Sequence, residues 1–157
     1  MMTSQESEYM YRTIRPVRIT NNTDYSSREG FNAFLSELVA NNKHLIGNIQ
    51  TLRDAPFHVR ACGRSTLLAL SYIKQAMEDP GKPVSLLDHW PSDTANKFLL
   101  NLTERIICQY DVLSEQVPYF NFTRTGRIQV VSLEFNPLKK SRSNAHHFHA
   151  QSAAPRR

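Results

Sequence analysis

Glycine is scarce in this 157-residue chain, at five, and cysteine scarcer, at two. So little glycine leaves few places for loops that cradle phosphate, and neither a Walker loop nor a GxGxxG turn occurs. HExxH, GxSxG and a paired CxxC are missing as well. With only Cys62 and Cys108, both in helix-like stretches, disulfides do not organise the fold, and a reducing, cytoplasmic setting is the simpler expectation. Unbroken apolar runs such as Phe98-Leu99-Leu100 fall far short of the roughly 18–20 residues of a membrane span. The opening MMTSQESEYMYR has no apolar core of the kind a secretory signal needs. Asn-x-Ser/Thr triplets begin at Asn21, Asn101 and Asn121, about as many as chance gives a chain this rich in Asn, Ser and Thr.

What is present is an uneven charge. Residues 1–30 hold four Arg against four acids, residues 31–117 eight bases against nine acids, and residues 118–157 seven bases against one acid. The formal net charge of +5 therefore belongs to the C-terminal end, which fits a nearly neutral folded body carrying a basic appendage. At this length and 40% hydrophobic residues, one domain with a real core is expected.

The pattern divides the chain into a disordered segment over 1–11, a folded domain over 12–137 and a disordered basic tail over 138–157. The β-branched stretch Thr13 to Thr20 predicts a strand, confined to an edge because Pro16 has no amide donor. Ser26 and Glu29 match a capping box, followed by Phe31, Phe34, Leu35, Leu38 and Val39 at helical spacing. The stripe resumes at Leu45, Ile49 and Leu52, with Asn41-Asn42 favouring a break between. Asp54-Ala55-Pro56 reads as the next helix start, running to about Glu78 with Gly63 as an interruption. After Asp79-Pro80-Gly81, a last helix capped by Ser92 or Asp93 carries apolar residues around its girth, including Phe98, Leu99, Leu102 and Ile106. That makes it the expected central element. Beyond Pro118 the period becomes 2: Phe120 and Phe122, then Val131, Leu133 and Phe135, predict a hairpin around a loop with Gly126. The expected fold is α+β: a mainly helical single domain of three to four helices with a C-terminal β-hairpin, which the N-terminal edge strand could join.

Candidate chemistry is sparse. Asp54, His58 and Cys62 at i, i+4 and i+8 would line one helix face, and a Cys–His pair backed by a carboxylate can activate a thiolate. Residues strung along one helix rarely converge on one reacting atom, however, so a thiol enzyme ranks last. His146, His147 and His149 could take up a transition metal only adventitiously, having no neighbouring Cys or carboxylate to close a site. No cofactor is expected. His44 and His89 stand alone.

The strongest signal is basic: Arg124 and Arg127 at the hairpin, then Lys139, Lys140 and Arg142, would attract a polyanion by counterion release. Stacking aromatics are thin there, so nucleic-acid binding would be sequence-independent. Trp90, the lone Trp, sits in a connection where it would serve either as a partner anchor or as a lid on the helices. No small-molecule substrate suggests itself. A non-enzymatic protein-interaction module, a small cytoplasmic adaptor or regulator that binds another protein or itself, ranks first and nucleic-acid binding second.

Overall fold

The structure is a computed structural model and describes residues 14, 15, 17, 24–54, 63–88, 92–125 and 130–138. Among these residues five α-helices precede and flank a three-stranded antiparallel sheet. The α+β architecture with a C-terminal hairpin is therefore as the periodicity requires.

Helix α1 spans Arg28–Asn41 and buries Phe31, Leu35 and Leu38. Its N-cap is Ser27, not Ser26: the Ser27 hydroxyl accepts from the Gly30 amide at 3.0 Å. Ser26 is already engaged, donating both its amide and its hydroxyl to the Asp24 carboxylate at 2.9 and 2.5 Å. Those bonds, the hydroxyl's first, hold the Asp24 carboxyl below its usual range. A cap of this kind contributes about 1 kcal/mol. The Asn pair does break the stripe: Asn42 caps α1, and the chain turns before α2, Ile49–Asp54, which buries Leu52.

Asp54 is the last residue of α2, so it does not start the following helix, and residues 55–62 lie outside the described part. Helix α3, Arg64–Glu78, starts instead from Gly63. That residue sits at φ +94°, where a side chain is strained, and an added Cβ would stand 3.1 Å from the Leu38 side chain of α1. Nine of the fifteen α3 residues are buried, and the helix packs on α2, on the last long helix and on the sheet. It is the central element. The expectation that placed the Ser92 helix there is corrected: that helix, α4 (Asp93–Gln109), turns one face to solvent, and Phe98 is 59% exposed on it. Ser92 does cap α4, accepting from the Ala95 amide at 3.1 Å. The four-residue α5, Asp111–Ser114, and a 3-10 turn at Val117–Tyr119 lead into the hairpin.

Strand β1 is the short Val84–Ser85, and β2 (Phe120–Thr125) and β3 (Val130–Phe135) form the hairpin. The order is β1-β3-β2, with Val84 opposite Leu133 and Phe120 opposite Phe135. Phe120, Val131, Leu133 and Phe135 are buried, as period 2 requires. Among the described residues the third strand is Val84–Ser85, and most of the stretch 13–20 lies outside them. Of that stretch Ile14, Arg15 and Val17 are described, and none lies in a strand. Arg15 instead spends its backbone donor and acceptor on the Asn42 side chain, at 2.7 Å each. The loop with Gly126 falls in 126–129, outside the described residues. Among the described residues no helix is long and apolar enough to cross a membrane.

Candidate functional site

An open cleft of about 200 Å³ lies where the first turns of α4 meet the hairpin. Pairing of β2 with β3 sets Arg124 opposite Val131, and both face this cleft. Helix α4 supplies Asp93, Thr94 and Lys97 to the same opening, with Leu100 on its floor. The side-chain Oδ1 of the buried Asn96 accepts from the Asp88 amide at 3.1 Å and so fixes the chain that enters the helix. Leu86 extends the sheet beside it, donating its amide to the Val131 carbonyl at 2.9 Å. Two cations, one carboxylate and a small apolar floor thus share one corner. Phe98 stands one helical turn beyond Thr94, its ring largely in water.

Of the residues singled out by sequence, Arg124 is exposed and lines this cleft. Trp90 falls in 89–91, just before the Ser92 cap, and Arg127, Lys139, Lys140 and Arg142 also lie outside the described residues. So do His58, Cys62, His89 and the histidines at 146, 147 and 149. His44 is exposed after α1, and partial burial and the nearby Arg15 guanidinium hold its imidazole below the usual range. Sequence reasoning passed over Lys97, which carries no motif, and named Asp93 only as a candidate helix cap. Their only signal is position, in the first turns after a Ser cap.

Among the described residues no three His, Cys, Asp or Glu side chains gather as metal ligands would. Cys108 on α4 is a free, partly buried thiol, and burial together with the Glu104 carboxylate pushes it up to about 11. Such a thiol is nearly all protonated at neutral pH and is a poor nucleophile. Alkylation of Cys108 by iodoacetamide at pH 8 is therefore expected to run about 100-fold slower than that of an unperturbed thiol of pKa about 8.5. Peptide-resolved mass spectrometry, which separates Cys108 from Cys62, measures this. Labelling of the native protein at the rate of free cysteine would contradict it.

The chain matches no protein-family model, no curated protein and no solved structure.

Proposed function

We propose that this chain is a non-enzymatic protein-interaction module, a small cytoplasmic adaptor or regulator with a basic C-terminal tail, and that it meets its partner on the face around Phe98 and the adjoining cleft. The observation that carries this is Phe98 itself, a large aromatic ring 59% exposed on a helix whose opposite face is packed. Aromatic anchors flanked by cations are the groups from which interfaces draw most of their affinity. Trp90, two residues before the α4 cap in sequence, is the other candidate aromatic anchor. Self-association through this face is one form of the same reading.

A second reading, sequence-independent nucleic-acid binding, is favoured by one observation: Arg124 and Lys97, 27 positions apart in sequence, line one cleft. Arg127 and the tail residues Lys139, Lys140 and Arg142 would extend that contact along a phosphate backbone.

One pair of variants separates the two. Phe98→Glu is expected to weaken a protein partnership, or self-association seen by sedimentation, at least tenfold, while leaving low-salt binding to mixed-sequence RNA or DNA within about threefold. Arg124→Glu with Lys97→Glu should weaken the nucleic-acid binding at least tenfold. A protein that sediments as a strict monomer and retains no protein partner through Phe98 removes the first reading. Absence of filter binding to any nucleic acid at low salt removes the second.

A further inference from the structure

We propose that the cleft between α4 and the hairpin takes an acidic side chain of a protein partner, an Asp or Glu, and that an apolar residue two positions along the partner's chain covers Phe98. The inference rests on the reading of this chain as a protein-interaction module and adds the chemistry of the partner.

The lining is rich in donors. Lys97 and Arg124 are exposed, come from different elements and have no ion-pair partner among the described residues. Asn96 lines the same cleft and is only 8% exposed. Because its Oδ1 accepts from the Asp88 amide at 3.1 Å, the sense of the side-chain amide is fixed and Nδ2 is the end left over. Among the described residues Nδ2 has no acceptor. A donor held in so buried a side chain is pre-oriented for an oxyanion that enters the cleft beside the two cations.

Charge balance selects the anion. Two cations against the single carboxylate of Asp93 leave the lining at a formal +1 (2 − 1). Asp93 stands in the first turn of α4, where the helix dipole favours a negative charge, so its presence there has a cause of its own. One further carboxylate brings the lining to neutrality. A phosphate monoester, at about −1.5 to −2, overshoots it and sets its second charge against Asp93.

The floor and Phe98 set the spacing along the partner. Leu100 and Val131 give the stem of the acid an apolar base. Phe98 lies one helical turn beyond Thr94, about 5–6 Å along the same face. Alternate side chains of an extended peptide point the same way about 7 Å apart, so an acid-x-apolar tripeptide reaches from the cleft to the ring.

NMR titration of the isotope-labelled full-length protein with the capped peptide acetyl-Glu-Thr-Leu-amide tests this. The Asn96 side-chain amide signals should shift, and the Gln-Thr-Leu counterpart should bind about tenfold more weakly. Lys97→Gln and Arg124→Gln, at exposed positions where the fold is tolerant, should each weaken the Glu peptide about three- to tenfold and leave the Gln peptide unchanged. A peptide with phosphoserine in place of Glu should bind no more tightly, and Asp93→Asn should shift the preference towards it by about tenfold. Equal binding of the Glu and Gln peptides, or an Asn96 side chain that does not respond, would overturn the carboxylate site. Tighter binding of phosphoserine by the unaltered protein would overturn the choice of anion. Shifts at Asn96 caused by mixed-sequence DNA and not by the peptide would assign the cleft to nucleic acid instead. A partnership lost in Phe98→Glu but untouched by Lys97→Gln and Arg124→Gln sinks this inference alone, whereas a strict monomer without any protein partner removes the reading beneath it.

Discussion

Truncating Phe120 to alanine is expected to cost about 3–5 kcal/mol and to lower the melting midpoint by about 10–20 °C. Phe120 is completely buried at the point where the 3-10 turn becomes β2. Its ring lies 4.9 Å, centroid to centroid, from that of Phe135, its register partner on β3, and Phe135 in turn meets Tyr119 edge-on at 6.4 Å. Alanine would forfeit the buried area and the ring pairing and leave a cavity walled by a strand and a helix that have other partners, so collapse offers little recovery. Phe98→Ala, at the exposed ring, removes the same atoms and should change stability by no more than about 0.5 kcal/mol. Chemical and thermal unfolding of the two variants side by side measures the contrast. Equal losses would mean that the hairpin is not seated on the helices as described.

The second large effect is one of sign. A glycine inside a helix ordinarily gives up about 1 kcal/mol relative to alanine, so Gly30→Ala in α1 would be expected to stabilise. Here it should destabilise by about 1–3 kcal/mol, the scale of overpacking. A Cβ on Gly30 would overlap the Asp24 carbonyl oxygen and come within 2.7 Å of its carbon, both of them backbone atoms. The Asp24 turn accepts the Ser27 amide and hydroxyl at 3.3 and 2.7 Å and so sets the cap that starts α1. Displacing the turn therefore also loosens the cap. A gain in the denaturation midpoint of Gly30→Ala would refute the close approach.

These residues also mark what the sequence made legible. Helix α1 and the hairpin were readable because one buried face dictates the spacing of Phe31, Leu35 and Leu38 in one case and of Val131, Leu133 and Phe135 in the other. The cap was misplaced by one residue since Ser26 and Ser27 are chemically equal candidates, and the Asp24 carboxylate, which captures Ser26, carries no weight in a capping-box pattern. β-branched content makes 13–20 a candidate strand, but it records fitness for a pleated surface and not the presence of a partner. The actual partner of β3 is only two residues long, below what any periodicity reveals. The apolar girth of α4 suggests burial on all sides, but an apolar residue can be left in water at little cost, so Phe98 inward and Phe98 outward read alike. Of the cleft, Arg124 was legible as part of a basic cluster. Its meeting with Lys97 depends on how the hairpin docks beside α4, which no local pattern encodes.

The strand order has a consequence for synthesis. β3 lies between β1 and β2 yet follows both in the chain, so neither edge has its partner until Phe135 has been made. At about 5–20 residues per second, the stretch from Ser85 to Phe135 occupies the ribosome for about 3–10 s. Helices α1 to α3 are complete by then. For that interval the nascent chain carries the side of α3 that meets the sheet, together with Val84, Leu86 and later Phe120, without the strand that covers them. That uncovered apolar surface makes premature release between β1 and β3 the step most prone to aggregation.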